Sequence, residues 1–184
     1  KRVNMQEGLQ IIGTNVVMGS ASSPLMGMTE LLIPSTVKEI GNNAFMYNHK
    51  LKTVTFAEGS RLESLGSFAF QGCISLEGIT LPATLRTIGA NSVTYSYNNV
   101  SIKIDVAGTF NGCVGMKYID MSACTFIEKI PTKMFADCIS VETLLLPPNL
   151  EVLADYCFGD PFNVTARTSS DVATQTMISL KEIT

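Results

Sequence analysis

Apolar and polar residues follow one another along this chain in a pattern that returns every 23 to 25 residues. The string IGNNAF at 40–45 reappears as LGSFAF at 65–70 and as IGANSV at 88–93, with its apolar positions kept and its polar positions changed. Because a unit this short cannot bury its apolar side chains alone, the period predicts coils that stack and cover one another. The longer block that contains this string has six copies, at Leu9–Val17, Val37–Phe45, Leu62–Phe70, Leu85–Val93, Ile127–Phe135 and Leu150–Phe158.

A second block alternates apolar and variable positions with period two, which predicts one β-strand in each coil. Proline follows this block at positions 34, 82 and 147, and should end the hydrogen-bonded ladder there because it has no N–H. The copies of the block are Met28–Ile33, Leu51–Phe56, Leu76–Leu81, Met116–Met121 and Val141–Leu146.

A third block joins the first two and spaces its apolar or small residues at i, i+3 and i+6. This spacing predicts a short helical turn across the coil. In the first four copies of the first block, a glycine follows the second apolar position, which predicts a tight backbone bend that tolerates little side chain. The copies read Phe45–Asn48–Leu51, Phe70–Cys73–Leu76, Phe110–Cys113–Met116 and Phe135–Cys138–Val141.

Two intervals between successive strands are longer, 40 residues from Ile79 to Ile119 and 39 from Leu144 to Ile183, and each holds an insertion. The insertion near 94–108 alternates around an Asn-Asn pair, which predicts a β-hairpin that projects from the stack. The insertion near 165–179 is small and polar, which predicts a mobile loop. Since the string LKEIT at 180–184 begins a further repeat, we expect a single repeat domain over 1–184 whose last repeat is truncated.

The unit resembles the leucine-rich repeats of the BspA-like family, on the strings LGSFAFQGCISL at 65–76 and LEGITLPATLRTIGANSV at 76–93. The resemblance extends over residues 9–164, with Pro131 where the family pattern has glycine. It implies an α/β fold, namely a right-handed β/α superhelix, or solenoid, of six or so coils with a parallel sheet on its concave face. Members of the family are typically surface or secreted proteins of host-associated bacteria and of some protozoa, and several are implicated in adhesion.

Composition and charge disfavour several classes of function. The formal net charge is -3 and no block of like charge exceeds two or three residues, whereas a nucleic-acid partner needs clustered Lys and Arg. No run approaches the ~18 apolar residues that span a bilayer. His49 is the single histidine, and the sequence has no CxxC, GxGxxG or Walker pattern and no Asp-rich calcium loop. We therefore expect a non-enzymatic protein with no metal and no cofactor.

Five cysteines suggest a structural role rather than chemistry. Three of them, Cys73, Cys113 and Cys138, occupy one repeat position that Asn48 shares, so stacked coils should hold them in a row. A small buried residue with a weak thiol donor is sufficient at such a position, and we expect free thiols. The pattern assigns no role to Cys124 and Cys157.

Strand residues between the inward positions should point into the concave groove. Leu32, Tyr118 and Leu145 are apolar or aromatic where solvent favours polar residues, which indicates a binding face, although single exposed apolar residues are also common on ordinary surfaces. The hairpin could extend recognition, or pack on its neighbour or cap an edge. The candidate ligand-binding residues are Leu32, Thr53, Thr55, Thr80, Tyr118, Asp120 and Leu145 on the strands, and Tyr95 and Tyr97 on the hairpin.

The sequence therefore predicts an extracellular or cell-surface recognition protein, which binds a host protein or glycan in the manner of an adhesin. A structural spacer that presents another domain of a longer protein is the alternative.

Overall fold

The computed structural model describes residues 1–19, 27–89, 92–97, 100–105, 107–159 and 182–183, with the backbone alone for 92–97, 100–105 and 182–183. Short β-strands joined by turns make up this part of the chain. In chain order the strands are β1 (Arg2–Asn4), β2 (Ile11–Ile12), β3 (Glu30–Ile33), β4 (Glu39–Ile40), β5 (Thr53–Phe56), β6 (Ser64–Leu65), β7 (Gly78–Thr80), β8 (Thr87–Ile88), β9 (Ser92–Tyr97), β10 (Val100–Asp105), β11 (Tyr118–Asp120), β12 (Lys129–Ile130), β13 (Thr143–Leu145), β14 (Val152–Leu153) and β15 (Glu182–Ile183).

The strand of each coil pairs in parallel with the strand of the next coil, which confirms the predicted stack. Together they form one seven-stranded sheet, the long sheet, in the order β1-β3-β5-β7-β11-β13-β15. The predicted intervals hold even across both insertions, because the inward residues fall in register. These residues are Val3, Leu31 and Val54 in the first three strands and Ile79, Ile119 and Leu144 in the next three, and the backbone of Ile183 pairs opposite Leu144.

A second, shorter strand follows in each coil and builds the opposite wall. The Ile or Leu of the IG..AF string sits in this strand, and Ile12, Ile40, Leu65 and Ile88 lie in register through β2-β4-β6-β8. The remaining two short strands, β12 and β14, form a separate pair. The described part of each coil is thus strand, turn, strand, turn.

The expected helical turn does not occur, since no helix is present in the residues that the structure describes. Each of these segments instead places a residue in the left-handed region, for example Tyr47 at φ 58° and Asp137 at φ 60°. A left-handed residue ends helical progression, so the i, i+3, i+6 segment folds as consecutive turns. The β/α part of the expected fold class is therefore not found, while the parallel repeat solenoid is; its right-handed sense stays a prediction.

The interior is a ladder of stacked rings between the two walls. Neighbouring phenylalanine rings lie 5.3 to 6.1 Å apart between centroids, with interplanar angles of 2° to 16°. Such offset stacking adds to the free energy gained by burying the rings. The ladder consists of Phe45, Phe70, Phe110, Phe135 and Phe158.

At Gly41 and Gly66 the repeated glycine has a different cause from the predicted bend, whereas Gly89 does lie at a bend, with φ 58°. A Cβ on Gly66 would lie 2.5 Å from the carbonyl carbon of Gly41, and a Cβ on Gly41 would lie 2.7 Å from that of Gly13. Neither Gly41 nor Gly66 has a positive φ. Close approach of successive coils, rather than an unusual dihedral, therefore excludes a side chain here.

The first insertion forms the predicted hairpin. Strands β9 and β10 are antiparallel, with Ser92 opposite Asp105 and Tyr97 opposite Val100, which leaves a two-residue connection. The second predicted insertion, at 165–179, lies outside the described residues.

Candidate recognition surface

The predicted groove residues lie on the solvent side of the long sheet, which we call the open face. Thr53, Thr55 and Thr80 are exposed, and Tyr118 is 46% exposed. The alternate residues, such as Ile79 and Ile119, are fully buried. The assignment of strand faces from period-two alternation is therefore confirmed.

Not all predicted residues are equally accessible. Leu32, Asp120 and Leu145 are only half-buried rather than fully open. The Asp120 carboxylate accepts hydrogen bonds from the hydroxyl and the backbone N–H of Ser122, at 2.6 and 3.0 Å. Its Oδ1 thereby caps the turn that follows β11.

Tyr118 is held flat against the sheet by a glycine on the neighbouring strand. Gly78 lies directly opposite Tyr118 in the β7–β11 register. A Cβ on Gly78 would fall 2.2 to 2.6 Å from the Cε1, Cδ1 and Cζ atoms of the tyrosine ring, so the ring occupies the space of the missing side chain. One side of the ring therefore rests on backbone and the rest faces solvent, which fixes the ring as a platform.

The pairing of β5 with β7 is interrupted beside this platform. These strands pair at one position, Thr53 opposite Gly78, whereas β3 and β5 pair over four positions. Ala57 donates its N–H to the carbonyl oxygen of Ile33 at 2.9 Å, and Pro82 takes the corresponding place one coil later. Because proline lacks an N–H, that bond cannot form. A cavity of about 490 Å³ lies where the pairing stops.

The cavity is rich in hydroxyl groups and free of charge. Among the residues that the structure describes, its lining includes no Asp, Glu, Lys, Arg or His. The hydroxyl of Thr84 donates to the carbonyl oxygen of Leu62 at 2.7 Å, while those of Thr55 and Thr80 make no hydrogen bond to the described part of the chain. The lining residues that carry hydroxyls are Thr55, Ser60, Thr80, Thr84 and Tyr118.

Three predicted residues, Thr55, Thr80 and Tyr118, therefore meet in one cleft. Thr53, Leu32, Asp120 and Leu145 lie elsewhere on the open face, and the side chains of Tyr95 and Tyr97 fall outside the described part. Sequence reasoning missed Ser60 and Thr84, which come from the loops after β5 and after β7. The one signal of the cleft available in the sequence was Gly78, because a glycine inside a strand marks close approach by another group, here the Tyr118 ring.

The cysteine row is structural, as expected. The thiols of Cys73, Cys113 and Cys138 donate to the carbonyl oxygens of the phenylalanine one coil earlier, at 3.3, 3.2 and 3.2 Å. Burial raises the pKa of Cys73 and of Cys138 to about 12, so both remain protonated. All five cysteines of the chain are buried and free.

Asn48 fills the same repeat position with an amide. Its Nδ2 donates to the carbonyl oxygens of Val17 at 2.6 Å and of Phe45 at 2.9 Å. Cys124, to which the repeat pattern assigned no role, lies beneath the cleft with its Sγ 3.7 Å from the carbonyl oxygen of Leu81. These side chains hydrogen-bond to backbone carbonyl groups in the interior and are not part of the open face.

A second cavity, of about 350 Å³, lies on the opposite wall between β8 and β12. Gly89 donates its N–H to the carbonyl oxygen of Leu65 at 2.8 Å, but the corresponding residue one coil later is Pro131, which has no N–H. The ladder of short strands therefore breaks here. Arg86 joins the two coils instead, with its Cζ 3.9 Å from the centroid of the Phe126 ring in a cation–π contact.

Among the described residues, no three His, Cys, Asp or Glu side chains come together as a metal site. The described part also contains no helix that is long and apolar enough to cross a membrane.

Comparison with known proteins places this arrangement in a family. BspA type leucine-rich repeat regions match residues 25–107 and 106–174, in six copies. No curated protein matches the sequence.

Among solved structures, the chain is similar to a leucine rich cell surface protein from Faecalibacterium prausnitzii, with a TM-score of 0.62 and 22% identity. This similarity covers 86% of the chain and 38% of that protein, so the chain spans well under half the length of its relative. It is also similar to a T. pallidum leucine-rich repeat protein, at a TM-score of 0.49, 21% identity and coverage of 83% and 72%. On the family match, the chain belongs to the BspA-type leucine-rich repeat proteins.

Proposed function

We propose that this chain is a surface-displayed or secreted recognition protein of adhesin-like role, which binds a host protein or glycan through the open face of the long sheet. Leucine-rich repeat proteins generally bind other proteins or act as scaffolds, and are typically non-enzymatic. The observation that carries the proposal is the exposed Tyr118 ring, fixed over Gly78 beside an uncharged cleft.

The physical argument is preorganisation. Tyrosine is enriched among residues that dominate binding free energy, because it offers a large contact area with few rotatable bonds. The Tyr118 ring is already ordered by its contact with Gly78, so binding costs little further side-chain entropy. The pairing of β7 with β11 keeps Thr80 at a fixed spacing from the ring, and Thr55 lies across the cleft on β5.

An extracellular or cell-surface location is part of the same proposal. Its support is the family match together with the similar F. prausnitzii protein, which is itself described as a cell surface protein. Any partner at such a location approaches from solvent, and the open face is the side of the long sheet that solvent reaches.

The test is a binding screen on immobilised extracellular matrix proteins and glycans, followed by affinity measurement for whichever ligand binds. Tyr118→Ala should weaken binding at least about tenfold, as expected for an interface hot spot. Phe126→Ala is the matched control, since Phe126 is 47% exposed but lies on the opposite wall, and it should change affinity less than about twofold. If no matrix protein and no glycan binds, or if both variants weaken binding equally, the proposal is wrong.

A structural spacer is the second candidate. The chain spans 38% of the length of the similar F. prausnitzii protein, which leaves room in such a protein for other domains. A spacer requires length rather than an open face. Removing one compact coil, residues 54–78, would then impair function in the longer protein, while Tyr118→Ala would have no effect.

A further inference from the structure

The ligand class of the open-face cleft follows from its chemistry, on the assumption that the proposed recognition role is correct. The cleft combines a fixed aromatic ring, several hydroxyl groups and an absence of charge. Any ligand must therefore present a flat apolar surface to the ring and polar groups at its edge, without a charge that the lining leaves unpaired.

The volume of the cavity favours a small ligand over a protein partner. The cavity of about 490 Å³ falls within the range of small-molecule sites, roughly 300–1,000 Å³. A protein partner would be favoured by arginine or several aromatic residues, whereas serine and threonine are under-represented among protein hot spots. Here four of the hydroxyl groups belong to Thr55, Ser60, Thr80 and Thr84, the described lining contains no arginine, and its aromatic residues are Tyr118 and the half-buried Phe56.

The hydrogen-bonding groups available in the cleft also favour a small polar ligand. The hydroxyls of Thr55 and Thr80 have no partner in the described part of the chain, and each can donate one hydrogen bond and accept others. The Thr84 hydroxyl already donates to Leu62, so it remains an acceptor. Groups that both donate and accept match the hydroxyls of a sugar, which do the same.

From these observations the geometry points to a subsite for one neutral hexopyranose residue of a glycan. The apolar C–H face of the sugar ring lies on the exposed part of Tyr118, and its equatorial hydroxyls bond to Thr55 and Thr80. The floor of Phe56 and Leu81 completes the apolar contact. We expect the subsite to reject acidic sugars, because none of its described lining residues is cationic.

The experiment is saturation-transfer NMR on the full chain with soluble oligomers of glucose, of galactose and of N-acetylglucosamine, and with oligogalacturonate as a charged counterpart. At least one neutral oligomer should receive saturation, strongest on the protons of one ring face, and oligogalacturonate should receive none.

Three variants then test the contact between the sugar and the cleft. Tyr118→Phe should keep affinity within about threefold, since the ring remains. Tyr118→Leu, which still covers Gly78 and preserves the fold, should lose about tenfold because the planar surface is gone. Thr80→Val, of the same shape without the hydroxyl, should lose about two- to tenfold.

Failure of this inference differs from failure of the proposed function. If no neutral oligomer binds but a matrix protein does, and Tyr118→Ala abolishes that binding, the open face recognises protein and the sugar subsite is refuted. If a neutral oligomer binds with the same affinity in Tyr118→Leu, the subsite lies elsewhere and is equally refuted. If neither oligomers nor matrix proteins bind, the proposed recognition role itself is refuted.

Discussion

A methyl group added at Gly66 tests whether the coils are as closely stacked as the structure shows. The Cβ of Gly66→Ala would lie 2.5 Å from the carbonyl carbon of Gly41 and 2.6 Å from the backbone nitrogen of Asn42. Both neighbours are backbone atoms, which cannot swing aside as the end of a side chain can. Ordinary carbon–carbon contact begins near 3.5 Å, so the two coils must separate locally by roughly 1 Å.

The free-energy cost follows from that separation. The N–H of Gly66 donates to the carbonyl oxygen of Ile40 at 2.7 Å, and a shift of roughly 1 Å would lengthen this bond beyond useful range. Loss of one such bond costs about 1 kcal/mol, and overpacking in a tight interior costs about 1–3 kcal/mol. We therefore expect Gly66→Ala to lower the free energy of unfolding by about 2–4 kcal/mol.

The chain supplies a matched control at the same repeat position. A Cβ on Gly13 would meet only the Val16 side chain at 3.7 Å, an ordinary contact, because no earlier coil lies against it in the described structure. Gly13→Ala should therefore change the free energy of unfolding by no more than about 0.5 kcal/mol. Urea unfolding followed by circular dichroism, with midpoints compared at equal m-values, measures both. Equal costs for the two variants would refute the claim that coil spacing excludes a side chain at Gly66.

Three further predictions test the interior. Phe70→Ala removes a fully buried ring stacked on both Phe45 and Phe110, and should lower the free energy of unfolding by about 3–5 kcal/mol. Thr55→Ala on the open face should lower it by less than about 0.5 kcal/mol. A thermal melt that ranked the two variants the other way would contradict the assigned strand faces. The thiols of Cys73 and Cys138, with pKa values near 12, should resist a thiol-modifying reagent in the folded protein at pH 8 and react only on unfolding; rapid modification of the native chain would show that the row is not buried. Burial raises the pKa of Cys73 from its ordinary value of 9.0 to about 12, so the thiol loses its proton at lower pH in the unfolded state than in the folded state. The free energy of unfolding should therefore fall as pH rises from about 9 to 12, by up to about 1.4 kcal/mol per pH unit for this thiol. Cys73→Ala should flatten that slope in urea unfolding at pH 8, 9 and 10, and an unchanged slope would argue against the shift.

Residues that repeat within a coil were predictable from the sequence because their pattern reports one simple physical requirement, burial on the inner side of a stacked unit. The inward strand positions from Leu31 to Leu144 and the second-wall residues Ile40, Leu65 and Ile88 all lie in the predicted register. The same reasoning placed Cys73, Cys113 and Cys138 in a buried row and the hairpin at β9 and β10.

The turn conformation was mispredicted for a local reason. A spacing of three residues is shared by a helical turn and by consecutive turns that contain left-handed residues. Asp137 at φ 60° suits the left-handed region, but Tyr47 at φ 58° occupies it too, and its side chain gives no hint of it. Tertiary packing of each turn on the previous coil selects this conformation.

The period of the apolar residues by itself determined that this protein is a stack of parallel strands and which side of each strand faces solvent. Only the tertiary structure decided that Tyr118 lies on Gly78, that the pairing of β5 with β7 stops at one position, and that Gly66 is excluded from carrying a side chain. The reason is that burial within a coil depends on the residues of that coil, whereas clefts, platforms and close approaches depend on the distance between atoms of two different coils. That distance is fixed by packing and by hydrogen bonds such as those missing at Pro82 and Pro131, and not by the periodicity of either coil.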